Sequence, residues 1–476
     1  MNACHLAVDI GASSGRHIIG RVVDGRMELT EVFRFENGLV ERNGHLCWDI
    51  DSLAENVIAG LAAAHEQGFD PTTIGIDTWA VDFVLLDGDD RRIGDCVGYR
   101  DARTEGVRDA LESEGILPFA EHYARTGIQY QQFNTAYQLY ALSREDRAQL
   151  DAAKTFLMVP DYLNFVLCGA KANEYTNAST TALVNAETCD WDDALVDRLG
   201  LPRGIFQPVS LPGISLGHLR PEIAARAGFD AEVVLVASHD TGSAWLAVPA
   251  RDEQAVYVSS GTWSLMGTEN RAPITTPASC AANLTNEGGY ERRYRYLKNI
   301  MGLWMIQNVR KELGVQTGTA PSWGDLVAAA EEARAAGFHC VVDADDPVFL
   351  APQSMLAALR DVAARSGQSV PRTMGEYALT VYDSLAADYA RTVATLSEQT
   401  GVTYTSINIV GGGSANAYLN QATADACGLA VFAGPTEGTA LDNLMVQFIH
   451  SGEYASLEEA RAAIKASFDI KEYQPR

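Results

Sequence analysis

The pattern that most limits how this chain can fold is written along it twice. Near the start, Leu6-Ala7-Val8 reads as a buried strand running into Asp9. Gly11-Ala12-Ser13-Ser14-Gly15 follows as a turn of small residues, and Arg16 to Val23 as a second strand. Asp24-Gly25 is a hairpin dipeptide, and Met27, Leu29 and Phe33 alternate with polar residues on a third strand. A helix starts at Asp51-Ser52 with Leu53, Val57, Ile58 and Leu61 on one face. Ile74-Gly75-Ile76 then forms a buried strand ending at Asp77-Thr78-Trp79. In the second half, Ala255 to Ser259 is again a strand and Ser259-Ser260-Gly261-Thr262 again a small, hydroxyl-rich turn. Trp263 to Gly267 is again a strand, Tyr294 to Leu297 a third, and a helix follows from about Gly302 to Leu313. Three strands, a helix and a strand returning beside the first, met twice, predict an internal duplication of α/β architecture. A chain of 476 residues accommodates two such domains, which we divide at 1–244 and 245–476.

Between the halves lies Val233-Val234-Leu235-Val236-Ala237-Ser238-His239-Asp240-Thr241-Gly242-Ser243-Ala244. The β-branched and apolar run reads as a buried strand. A carboxylate at the carboxyl edge of such a strand stands where open α/β sheets hold their ligands, so Asp240 is the candidate general base. The alternative is that Asp240 caps a helix that follows. The local sequence does not separate these.

Two further stretches carry chemistry. The Gly11–Gly15 turn, free of bulky side chains, can bring backbone N–H groups close to phosphate oxygens, and Asp9 beside it can hold magnesium directly or through water. No Gly-Lys-Ser/Thr occurs there, so it is not a Walker loop, and such turns are also common as plain hairpins. Later, Ile407 to Val410 reads as a buried strand entering Gly411-Gly412-Gly413-Ser414-Ala415-Asn416 and then a helix. Glycines in that setting let a flat ring or a diphosphate approach the backbone; a plain turn is the alternative. The Ala-rich stretch from Gly314 to Thr373 is less patterned and reads as an insertion or cap, and a long amphipathic helix follows from Met374 to about Thr400.

Thr78 to Phe83, Tyr99 to Arg103, Phe133-Asn134-Thr135 and Glu174 to Asn177 mix aromatic and polar residues as a sugar pocket would. Each is equally well read as a buried aromatic with surface ion pairs. The formal net charge of -26, from 36 Lys plus Arg against 62 Asp plus Glu, argues against nucleic acid or anionic membrane as a partner. Phosphate must then be held by backbone N–H groups, helix N-termini or a cation. The eight cysteines form no Cys-x-x-Cys pair and read as reduced thiols of a cytoplasmic protein. The N-terminus does not read as a signal peptide, and no apolar run is long enough to span a bilayer.

Together these strings resemble the FGGY carbohydrate kinases: Asp9 to Arg16, Gly75 to Trp79, Ser238 to Thr241, Ser259 to Ser264 and Gly411 to Ser414. Val81 to Leu86, Tyr99-Arg100-Asp101, Met158 to Tyr162, Asn286 to Gly289 and Leu297 to Trp304 are similar to the branch of the family acting on L-rhamnulose. The resemblance runs from near the N-terminus to about Gly434. It implies two actin-like, ribonuclease-H-like domains, each with a βββαβα core, and an active-site cleft between them. It implies ATP and magnesium, with phosphorylation of L-rhamnulose at O1. Asp240 matches the proton acceptor; Ala12, Ser13, Ser14, Gly15, Arg16, Thr262, Gln307 and Gly412 match ATP positions; Ala80, His239, Thr241 and Asn299 match sugar positions. At Ala80 the family has glycine, and the added methyl would project toward the sugar. The implied partners are a small-molecule ketose and ATP, with no obligate protein partner. Alternatives are a sister kinase for another ketose, such as L-fuculose or L-xylulose, and an actin-like ATPase.

Overall fold

The computed structural model describes residues 3–240, 245–248, 250, 252–436 and 438–476. The chain forms two compact units. The first comprises Met1–Ala247, Glu269–Tyr296 and Thr439–Ser467; the second comprises Val248–Thr268, Leu297–Gly438 and Phe468–Arg476.

In the first unit, β1 (His5–Ile10), β2 (Ser14–Val23) and β3 (Arg26–Glu36) form an antiparallel meander. The β2–β3 hairpin turns on Asp24 and Gly25, both at positive φ (51° and 76°), as the Asp-Gly dipeptide predicts. β4 (Thr73–Thr78) returns parallel to β1. β5 (Ile214–His218) and β6 (Glu232–Leu235) complete the sheet in the order β5-β6-β4-β1-β2-β3, with β6 parallel to β4 and β5 antiparallel to β6. Leu6, Val8, Ile74, Ile76 and Val233 on the central strands are fully buried, each stabilising the core by about 1.5–3 kcal/mol. The helix Ile50–Glu66 lays Leu53, Val57, Ile58 and Leu61 into this core. Its N-cap is Asp49, whose side chain accepts from the Ser52 N–H at 3.2 Å, so the helix starts slightly earlier than the sequence suggests. A second apolar cluster, including Phe83, Leu111, Leu139, Phe156 and Leu183, lies within the long excursion between β4 and β5.

The second unit repeats the plan. β7 (Ala255–Ser260) pairs antiparallel with β8 (Trp263–Asn270) and parallel with β10 (Ser406–Val410), and β9 (Tyr294–Met301) flanks β8. β11 (Ala430–Ala433) is parallel to β10, and β12 (Lys471–Tyr473) is antiparallel to β11, giving β9-β8-β7-β10-β11-β12 with the short strand Thr285–Gly288 as a seventh beyond β9. Each sheet thus sets its first strand at the centre and adds an antiparallel strand beyond its last parallel one. The 27-residue helix Met374–Thr400 opens on a capping box of Thr373 and Glu376. The stretch read as an unpatterned insertion contains two helices, Trp323–Ala335 and Met355–Arg365, capped by Ser322 and Ser354. The first buries only Leu326 and Ala330; its alanines favour helix but give almost no hydrophobic periodicity to read.

Among the described residues no helix is long and apolar enough to cross a membrane. All eight cysteines are unpaired.

Candidate active site

The carboxyl edge of the first sheet gathers the charged candidates. Asp9 lies one residue before the end of β1 and is matched in register with Asp77 on β4 and Arg16 on β2. Arg16 donates to Asp9 Oδ2 from Nε at 3.0 Å and from Nη2 at 2.8 Å. Asp77 is fully buried and accepts from Asn443 Nδ2 at 2.6 Å. Burial first, then the charge of Asp9, hold its carboxyl well above the usual range; the Asn443 amide and Arg16 oppose the shift, and Asp240 adds to it.

The run after β6 continues alongside β4. Thr78 N donates to Ser238 O at 2.9 Å, and Thr78 forms a parallel bridge with His239. Asp240 therefore sits at the same sheet edge as Asp9 and Asp77, with its side chain 24% exposed. A brace that the sequence did not reveal holds this run. Glu174, fully buried, accepts from Ser238 N at 3.0 Å and Ser238 Oγ at 2.9 Å, and also from Thr176 and Asn177. Glu174 to Asn177 are buried cap and brace residues, which favours the packing alternative over the sugar-pocket one for this stretch. Thr241, with residues 242–244 and the helix Asp240 was suggested to cap, lies outside the described residues.

Behind Asp240 stands His239, 7% exposed. Arg295 Nη2 donates to His239 Nδ1 at 3.1 Å and lies 3.2 Å from Glu287 Oε2, while Arg295 Nε donates to Gly288 O at 2.9 Å. His239 Nε2 lies 3.8 Å from Asp240 Oδ1. Burial, then the Arg295 cation, push His239 well below the ordinary imidazole range.

The first turn is tied down by its carbonyls. Gly11 N donates to Ser14 O at 2.9 Å, Asn37 N to Ser13 O at 3.0 Å and Asn37 Nδ2 to Gly11 O at 2.9 Å. Among the described residues no hydrogen bond engages the Ala12 or Ser13 N–H groups, so the turn keeps donors for an anion. Gly15 is required by packing: a Cβ there would lie 2.2 Å from the Phe35 ring. Asn37, at the end of β3, carries no sequence signal of this role.

Ala80 sits in a strained turn. Val81, β-branched, has φ 68°, in the left-handed region. The strain is held by Asp82, which accepts from Trp48 Nε1 (2.6 Å), Trp79 Nε1 (3.0 Å), Tyr99 N (3.0 Å) and Gln138 Nε2 (2.9 Å), and by Thr135 Oγ1 donating to Val81 O at 2.6 Å. Backbone strain over-determined in this way is typical of ligand sites. The rings of Trp48 and Trp79 stand 4.0 Å apart, and Tyr99 meets Phe133 edge-on at 5.4 Å.

In the second unit, the turn that carries Thr262 is tied to the helix that carries Gln307, and the glycines on either side of Gly412 lie against Ser260. Leu303 N donates to Gly261 O at 3.0 Å and Trp304 N to Thr262 O at 3.1 Å, fastening the turn to the helix Trp304–Thr317, whose first turn carries Gln307. Ser259 is matched in register with Val410. The glycines divide the work: Gly411 has φ 81°, a Cβ on Gly413 would lie 1.9 Å from Ser260 Oγ, and around Gly412 there is open space. Gly411, not Gly412, thus requires glycine's backbone freedom. Asn299 is half-buried on β9.

Residues 4–247 match the N-terminal domain, and residues 256–451 the C-terminal domain, of the FGGY family of carbohydrate kinases. The chain belongs to the FGGY family of carbohydrate kinases. It is 47% identical to the rhamnulokinase of Halalkalibacterium halodurans over 98% of each chain, and 45% identical to that of Oceanobacillus iheyensis over 99% of this chain and 98% of the relative. The fold is similar to that of the xylulose kinases of Lactobacillus acidophilus (TM-score 0.83, 16% identity, covering 100% of this chain and 94% of that one) and Rhodospirillum rubrum (0.80, 21%, 99% and 94%).

Proposed function

We propose that this carbohydrate kinase transfers the γ-phosphoryl group of ATP to the O1 hydroxyl of L-rhamnulose, giving L-rhamnulose 1-phosphate and ADP. Near-full-length similarity to proteins named rhamnulokinase supports the sugar. The observation that carries the mechanism is Asp240, a mostly buried carboxylate at the sheet edge where Asp9 also ends. Asp240 takes the O1 proton as O1 bonds to the γ-phosphorus and the bond to the β–γ bridging oxygen breaks. Ala80, His239, Thr241 and Asn299 orient the sugar. Ala12, Ser13, Ser14, Gly15 and Arg16 in the first turn, and Thr262, Gln307 and Gly412, bind ATP. The half 1–244 supplies the first phosphate turn and the sugar positions Ala80, His239 and Thr241; the half 245–476 supplies the remaining nucleotide positions and Asn299.

Magnesium fits beside Asp9. Asp77 Oδ1 is buried without a hydrogen-bond partner, and burial and then the charge of Asp9 keep the Asp77 carboxyl raised, so a cation here would relieve the crowding of two neighbouring carboxyl groups. Among the described residues no three or more His, Cys, Asp or Glu side chains group to hold a metal alone. Magnesium needs only one or two carboxylates, the rest coming from phosphate and water. When bound it would neutralise phosphate charge. We place the enzyme in the cytoplasm with ketose and ATP as its partners.

A panel of ketoses with ATP, read by ADP release, tests the substrate: L-rhamnulose should be the best acceptor. A preference for L-fuculose or L-xylulose would move the enzyme to a sister activity, and equal ATPase rates with and without sugar would remove the sugar-kinase reading.

A further inference from the structure

We infer that Arg295, held by Glu287, is a positioning residue that fixes His239 as the neutral tautomer with its proton on Nε2, the nitrogen facing Asp240. This rests on the reading of Asp240 as the base. Arg295 is 1% exposed, and a guanidinium has donors only and stays charged. With its Nη2 3.1 Å from His239 Nδ1, that nitrogen must present its lone pair. The single proton of neutral His239 is then on Nε2, 3.8 Å from Asp240 Oδ1.

Charged groups around His239 among the described residues include Asp240, Glu287 and Arg295, with Glu174 acting through Ser238 and Thr176. Glu287 Oε2, 3.5 Å from Nδ1, would by itself favour an imidazolium, and Arg295 opposes that charge. The consequence concerns basicity. A cation beside Asp240 would make its carboxylate a weaker base. A neutral N–H donor orients it without that penalty.

Two-bond ¹H–¹⁵N spectra of the full-length, ¹⁵N-histidine-labelled protein, with His239 assigned by the signals missing in His239→Gln, test the tautomer with no substrate present. The expected pattern is an unprotonated Nδ1 and a protonated Nε2, unchanged across about pH 5.5–8, where ordinary histidines titrate. An Nδ1–H tautomer, or an imidazolium forming in that interval, would overturn the inference. In kinetics, Arg295→Met should lower kcat by about 10- to 100-fold, the scale found when a group orienting a functional histidine is lost. It should leave the ATP Kd unchanged and add a falling acid limb to the pH profile, because Glu287 can then draw a proton onto Nδ1. Arg295→Lys should remove that limb. A lowered kcat with the wild-type pH profile would reduce Arg295 to structural support and sink the idea. If Arg295→Met does not fold, Arg295→Met/Glu287→Leu leaves no unpaired buried charge. In that variant the proton should spread over both ring nitrogens, and a retained pure Nε2–H form would count against Arg295. A normal kcat in Asp240→Asn would remove the base while leaving the tautomer result standing.

Discussion

The turns after β1 and β7 are the same backbone device with different chemistry around it. In each, the first glycine N–H bonds a carbonyl across the turn at 2.9 Å, Gly11 to Ser14 and Gly261 to Trp263. Matched on those glycines, Asp9 stands where the second unit has Ser259. Its parallel neighbour is Asp77 where the second unit has Val410. One strand further on, the first sheet presents His239 and Asp240. The duplicated fold thus supplies turn donors twice and charge once. An edge with three carboxylates is suited to taking a proton and holding a cation. An uncharged edge lined by glycine and hydroxyls admits a nucleotide without repelling it.

The largest effect should come from removing charge at the first edge. Asp240→Asn keeps size and can still cap a helix. We expect it to fold and to bind sugar and ATP, with kcat lowered by about 10²–10⁴-fold, the usual contribution of a general base. A near-normal kcat under saturation would make the carboxylates structural and erase the contrast between the edges.

At the second edge the expected losses in binding fall on the nucleotide alone. Gly413→Ala forces a Cβ to 1.9 Å from Ser260 Oγ, and overpacking of this kind costs about 1–3 kcal/mol. We expect both a lower Tm and a weaker ATP Kd. Gly412→Val enters open space, so Tm should hold while the ATP Kd rises. The ketose Kd should stay unchanged in both. A Gly412→Val protein with wild-type ATP affinity would return this loop to the role of a plain turn.

These contrasts also mark what the sequence carries. Strand order, the Asp24-Gly25 hairpin and both small-residue turns were legible because they are local: periodicity and turn residues write them into a few consecutive positions. Asp240 was legible as a strand-end carboxylate. Glu174, Asn37, Asn443 and Arg295 were not, because each acts across a long sequence separation through one side chain. Asn443 left only a weak trace, as a buried amide within the apolar face of helix Gly438–His450. The braces are where the sites gain their geometry, and no periodicity encodes a brace.

The histidines sharpen the comparison under acid. The second unit contains one histidine, the exposed His339, whereas the first buries several, and burial pushes down three of them, His17, His122 and His239. His17, whose Nε2 lies 3.0 Å from Val57 O, is pushed down to about 4 by burial. An unfolded chain protonates this group near pH 6.5, so as pH falls below that value the unfolded state binds more protons and stability is lost until about pH 4. The share of His17 between pH 7 and pH 5 is roughly 2 kcal/mol. Raised buried carboxylates act with the opposite sign, so the readout is a difference: urea unfolding of His17→Asn should weaken with acid by that much less than wild type. Parallel pH slopes for the two proteins would show that His17 is not buried neutral.

The smallest expected effect tests whether the strained turn reads the sugar. Ala80 precedes Val81 at φ 68°, and Asp82, Thr135 and Gln138 hold that conformation from three directions. Because the frame is fixed by neighbours, Ala80→Gly should remove a methyl without collapsing the turn. A single methyl in a pocket changes discrimination by about 1–3 kcal/mol, and a half-buried one belongs at the low end, a few-fold in kcat/KM. The ratio of kcat/KM between L-rhamnulose and other ketoses should therefore shift while the ATP Kd does not. If the ratio and the Kd are both unchanged, the methyl touches no sugar and the strain at Val81 serves packing around Asp82. If the ATP Kd moves instead, the turn acts on the nucleotide, and Ala80 loses its assignment to the sugar.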